Sequence, residues 1–170
     1  MLIKIIGALL ILVGCGSVGF QIAAAQRREE RIMDMLCKCL DFMECELQYN
    51  LTPLPQLCRI TAGQADGILR KVLHTLATEL DNQISPDVES CVSATLGKCA
   101  ELPQQAAVCL AELGKTMGRF DVDGQIKGLE SVRQMCRRQL QALRDNKETR
   151  WRSYQTLGLC AGASIVILFI

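Results

Sequence analysis

Residues Gly14 to Phe20 read GCGSVGF, and three chemistries compete for them. Gly14, Gly16 and Gly19 spell G-x-G-x-x-G, the loop that lets a backbone approach a dinucleotide pyrophosphate. Leu12-Val13-Gly14-Cys15 spells the cleavage site of a lipoprotein signal, with Cys15 as the residue that takes the lipid. The same residues sit inside Ile5 to Ala25, which is 21 residues without a charge. As a helix that run spans roughly 30 Å, the hydrocarbon thickness of a bilayer.

The dinucleotide fold needs a strand before the glycines, a helix after them, and an acidic residue at the end of a second strand about 20 positions on. Residues 26–50 are polar and helix-periodic, so no second strand follows. The lipoprotein reading has Lys4 as a charged start and Ile5 to Ile11 as an apolar region ahead of Cys15. The apolar character, however, continues past Cys15 through Val18, Phe20 and Ile22 to Ala25. It meets Arg27-Arg28-Glu29-Glu30-Arg31, and basic residues in that position tend to stay in the cytoplasm. A membrane helix accounts for the whole stretch. In it Cys15, Gly19 and Ala23, four apart, make a small-residue face for close helix packing. An exported lipoprotein anchored at Cys15 stands as the alternative.

Ten of the 170 residues are cysteine, eight of them between Arg27 and Arg152. Disulfides rarely persist in a reducing compartment. Zinc finds no C-x-x-C and only one histidine, His74. Cys37 and Cys39, two apart, point to nearly opposite sides of a helix. Cys39 falls on a stripe with Ile32, Leu36, Leu40, Met43 and Leu47. Cys109 lines up with Ala106, Leu110, Leu113 and Met117, and Cys136 with Leu129, Val132, Leu140 and Leu143. Cysteine there packs as a small apolar residue; a thiol-based redox or metal sensor is the other reading. His74, beside Val72, Leu73 and Leu76, reads as a core-edge histidine and not as a base. There is no phosphate loop G-x-x-x-x-G-K-[ST], no H-E-x-x-H and no G-x-S-x-G. No residue is therefore assigned as catalytic, cofactor-binding or metal-ligating. The expectation is a binding or assembly module that needs no cofactor, no small-molecule substrate and no enzyme activity.

A second uncharged run, Tyr154 to Ile170, is 17 residues long and follows Arg150, Trp151 and Arg152. Basic and aromatic residues in that order mark a cytoplasmic boundary, and Gly158 and Gly162 again form a close-packing face. All 19 Lys and Arg except Lys4 lie between Arg27 and Arg152, as do all 18 acidic residues. The chain reads as an N-terminal transmembrane helix (1–25), a neutral cytoplasmic domain (26–152) and a C-terminal transmembrane helix (153–170). About 125 residues suffice for one modest core. A domain that is neutral overall and has few aromatics is not expected to bind nucleic acid.

Every segment of the middle has a period near 3.6, which predicts an all-α, mostly antiparallel six-helix bundle. The first helix covers 26–49 and continues the first membrane helix. "NLTPLPQ" breaks it. Thr52 caps a helix from Pro53 to about Thr61, and Asp66 caps the next, 67–82, with Leu69, Val72, Leu73, Leu76 and Leu80 inward. Ser85 caps a fourth, with Pro86 at its first position, to about Ala100. Pro103 begins a fifth that ends near Gly118. Asp121 caps the sixth, which can run unbroken into the second apolar run. From Lys127 to Arg152 the sixth helix carries eight basic and three acidic residues, a basic surface that could meet anionic headgroups.

"ECELQYNLTPLPQ" (Glu44 to Gln56) resembles the E-x-x-I-x-Y-x-x-T-P-L-P segment of the stage III sporulation protein AB family. "LGKTMGRFDVDGQIKGLE" (Leu113 to Glu130) resembles its L-G-x-x-L-G-x-x-D-x-x-x-Q-x-x-x-L segment, matched by Gly114, Gly118, Asp121, Gln125 and Leu129. Met117 stands where that pattern has Leu and Leu47 where it has Ile, and the many cysteines are no part of it. The resemblance implies a shortened relative of the F-type inner-membrane platform of type II secretion and type IV pilus machines, whose cytoplasmic domain is a helical bundle. It implies a place in the mother-cell membrane facing the forespore, within a channel or secretion-like complex of other stage III sporulation A-operon proteins. One of those, stage III sporulation protein AA, looks like a secretion ATPase, and its docking partner would be this chain. No catalytic residue carries over from the resemblance.

Overall fold

The computed structural model describes residues 2–82, 87–117 and 123–145, with side chains from residue 25 onward. Among the described residues there is no strand; the expected helices are present as α1 (Leu2–Asn50), α2 (Leu54–Gln64), α3 (Gly67–Asp81), α4 (Val88–Lys98), α5 (Gln104–Thr116) and α6 (residues 123–145). α1 runs through Gly14, Gly16 and Gly19 without interruption, so these glycines are helical and not a strand-to-helix turn. Among the described residues no helix is long and apolar enough to cross a membrane. The side chains of residues 1–24 and the whole of 146–170, where both spanning segments were expected, lie outside them.

The helices are bounded where the punctuating residues predict, but by different bonds. Pro53 and Pro103, not Thr52, occupy the residues before α2 and α5. Their carbonyls accept the first helical bonds, from Leu57 N at 2.9 Å and Ala107 N at 3.0 Å. Thr52 is buried, and its hydroxyl turns back to the Glu46 carboxylate. Asp66 stands at the start of α3 as expected, yet its carboxylate pairs with Arg70 at 3.1 Å and leaves the helix amides uncapped. Asp87 precedes α4, and Ser85, Pro86, Gly118 and Asp121 fall outside the described residues.

α2 and α3 pack as a hairpin, α4 packs on α3 and α5, and α1 touches α2, α3 and α5. The core is aliphatic: Met33, Leu36, Leu40, Leu57, Leu73, Leu110 and Leu129 are among its fully buried side chains. Burial of this kind is the main stabilising term available to a bundle. Of the eight cysteines between Arg27 and Arg152, seven are buried and Cys45 is exposed, as core filling predicts. Burial pushes the Cys39 thiol up to about 11 and the Cys58 thiol up to about 12, so both stay protonated and unreactive. Cys37 is buried as well as Cys39, because α1 is covered on more than one side. One expectation fails. His74 is exposed, since Leu73 and Leu76 take the inward face of α3.

Two glycines hold the last helices close. A Cβ at Gly114 would lie 2.9 Å from Val92 Cγ2, where α5 crosses α4. One at Gly128 would lie 2.6 Å from the Thr116 Cβ, where α6 starts past the end of α5. Gly114 is one of the residues that carry the family resemblance, and its role here is close packing.

Candidate functional site

Two surfaces stand out: the basic face of α6 and the turn around Thr52 to Pro55. Among the described residues the first is mostly spent inside the fold. Arg133 Nη1 lies 3.0 Å from Glu44 Oε2 and 3.3 Å from Asp41 Oδ1. Arg137 reaches Asp41 at 3.0 Å, and Arg144 reaches Asp34 at 3.1 Å and Glu30 at 3.4 Å. Three arginines of α6 thus neutralise four acids of α1. The contacts run in opposite order along the two helices, so α1 and α6 are antiparallel. Arg138 and Lys127 are exposed on the other side of α6. The described basic face is therefore a seam with two cations beyond it, and not a continuous cationic stripe.

The seam is graded in solvent. Arg133 and Glu44 are mostly covered, their side chains 23% and 19% exposed, whereas Arg137 is 56% exposed. Glu44 Oε2 and Arg133 Nε are buried without a hydrogen bond, so the Arg133–Glu44 contact is a charge pair and not a bidentate clasp. Lys38, hydrogen-bonded to Asp34 at 2.9 Å, and then Arg144 hold the Asp34 carboxyl below its ordinary range against the opposing effect of burial. Its small contribution to stability is present above the ordinary carboxylate range and is lost as pH falls through the lowered value.

The turn is the opposite case. α1 ends at Asn50, and Leu51 takes φ +50°, a left-handed conformation that glycine usually supplies at a helix end. For leucine this costs on the order of 1–2 kcal/mol. Asn50 Nδ2 and Thr52 Oγ1 both donate to Glu46 Oε2, at 2.9 and 3.3 Å, which ties the bend to the last turn of α1. Thr52 is the buried member of the turn, and the large apolar side chains face out. Tyr49 is 75% and Leu51 62% exposed, with Pro53 exposed beside them. A strained backbone that displays two large apolar side chains is an arrangement that contact with a partner would explain. Among the described residues no three of His, Cys, Asp and Glu are placed to hold a metal ion.

The sequence marks the turn as a helix break but does not reveal its exposed pair. Nor does it reveal the seam, although acids at 30, 34, 41 and 44 and arginines at 133, 137 and 144 recur at matching heptad-like intervals.

A family model described as stage III sporulation protein AB matches residues 4–170. No curated protein matches the chain. Among solved structures the chain is similar to one titled stage III sporulation protein AB (SpoIIIAB), at 19% identity and a TM-score of 0.62, over 69% of this chain and 94% of that one. At that identity the likeness is one of fold.

Proposed function

The chain belongs to the stage III sporulation protein AB family, and from that membership we propose that it is a non-enzymatic membrane platform of the mother-cell–forespore complex formed during sporulation. It stands in the mother-cell membrane on two helices, residues 1–25 and 153–170. It holds domain 26–152 in the cytoplasm and docks the complex's ATPase, stage III sporulation protein AA, at the membrane-distal turn.

The observation that carries this reading is the antiparallel α1–α6 seam. The Glu30–Arg144 contact brings the last described turn of α6 beside the part of α1 that follows the first apolar run. The seam thus supports a hairpin whose two apolar arms enter one bilayer side by side, with small-residue faces at Cys15, Gly19 and Ala23 and at Gly158 and Gly162 to pack them. From Arg27 to Asn50, 24 residues of α1 extend about 36 Å. On this reading Tyr49 and Leu51 stand at the far end from the membrane, within reach of a cytoplasmic partner. The relation to type II secretion and type IV pilus platforms fits the same geometry, in which work arrives from an ATPase and the platform transmits or resists it. The continuous helix through Cys15 favours a spanning segment over a cleaved lipoprotein leader.

Cys45 provides a native reporter of topology because it is exposed. A membrane-impermeant maleimide is expected to label Cys45 of the full chain in inverted membrane vesicles and to leave it unlabelled in intact spheroplasts. Labelling in spheroplasts, or a mature chain lacking residues 1–14 and carrying a lipid on Cys15, would overturn the hairpin.

A further inference from the structure

The seam contains a feature that packing alone does not require. Cys37 of α1 and Cys136 of α6 face each other with their sulfurs 3.0 Å apart. Cys109 of α5 is the third thiol beside Cys136, near enough for each to shift the other's ionisation. Its sulfur also lies 3.5 Å from Gln139 Oε1. Cys136 completes the set with a 3.8 Å contact to the Met33 carbonyl. Three thiols from three helices converge in one place, and Cys37, at 6% exposure, is the least covered of them.

We propose that Cys37 and Cys136 form a reversible disulfide that staples the first helix to the last when the cell meets a hydroperoxide. The geometry needs little adjustment: the sulfurs close from 3.0 Å to the bond length of about 2.05 Å. The hydrogen bond between Cys37 and Cys136 lowers the Cys37 thiol below its ordinary value, with a smaller contribution from Arg137, while burial and the Asp41 and Asp34 carboxylates oppose it. Cys136, which accepts from Cys37 and points its own S–H at the Met33 carbonyl, is held protonated well above the usual range by its two thiol neighbours and by burial. Cys37 is accordingly the attacking thiol and Cys136 the resolving one.

The Cys37 thiolate attacks one oxygen of hydrogen peroxide. The O–O bond breaks, the sulfur becomes a sulfenic acid, and hydroxide leaves and takes up the released proton as water. Cys136 then attacks the Cys37 sulfur, the S–O bond breaks, and a second water leaves with the thiol proton. Two thiols are oxidised by two electrons and one peroxide is reduced to two waters. A dithiol reductant reverses the bond through a mixed disulfide. The loop closed runs from Cys37 to Cys136 and so constrains most of the unfolded domain. It also fixes the α1–α6 pair. The inference is independent of the platform reading, since it needs only the folded bundle.

The test uses the full chain in detergent, with Cys45→Ser to remove the exposed thiol. Treatment of the folded protein with a small excess of hydrogen peroxide is expected to remove two titratable thiols. Peptide mapping is expected to find Cys37 joined to Cys136, and the urea midpoint should rise and return with dithiothreitol. Cys136→Ala should lose the cross-link and the midpoint shift, whereas Cys109→Ala should keep both. Retention of every thiol, sulfinic acid at Cys37 without a cross-link, or a cross-link that appears only in urea would each overturn the proposal. The wild-type map decides the matter even where an alanine variant folds poorly.

Discussion

Leu129→Ala is expected to lower the stability of the bundle by about 3 kcal/mol, the largest loss from any one truncation on α6. Leu129 is fully buried, with Val132 and Cys136 following on the same face. That face is all that α6 offers the core, so a cavity there loses both transfer energy and the contacts that keep α6 in place. Gly128, next to it, holds the start of α6 against Thr116, which leaves the helix little room to shift and fill the void. Urea unfolding of residues 26–152, followed by circular dichroism, gives the measurement. A loss below about 1 kcal/mol would mean that α6 is peripheral to the fold.

Arg133→Ala should cost about 2 kcal/mol, while Arg137→Ala, four residues on, should cost under about 1 kcal/mol. The two arginines face the same acid, Asp41, but stand in different solvent. Removing Arg133 strands the Glu44 carboxylate, which is mostly covered and has no hydrogen bond at Oε2 to fall back on. Water and salt already screen Arg137. Equal losses from both substitutions would show that the seam is held by surface charge alone. Raising the salt concentration separates the cases further, since the Arg137 effect should fade first.

The helices were legible in the sequence because their punctuation is strong. Pro53, Pro103 and Asp66 stand next to the observed starts of α2, α5 and α3, and the apolar stripes of α1, α3 and α5 are the buried ones. Cap chemistry was less legible. Thr52 had two acceptable partners, the next helix and the previous one, and the choice was made by the Glu46 carboxylate. The seam was hidden because charge reads locally as solubility. Arg133 looks like a surface residue until Asp41 and Glu44, some 90 positions away in the chain, are placed beside it. Cys37 was hidden for the same reason: a helix with one apolar stripe predicts one buried face, and α1 is covered by α6 on another. The exposed Tyr49–Leu51 pair depends on the left-handed turn at Leu51, a conformation that a leucine in sequence does not announce.

On the proposed function, the turn at Thr52 to Pro55, and not the basic helix, receives the ATPase. Photo-cross-linking probes placed one at a time at Gln56 and at Arg138, both exposed, test it in sporulating cells that contain the full chain and stage III sporulation protein AA. Strong capture of the ATPase is expected from Gln56 and weak capture from Arg138. Capture only from Arg138 would move docking to the basic helix, and capture from neither would contradict ATPase docking by this chain.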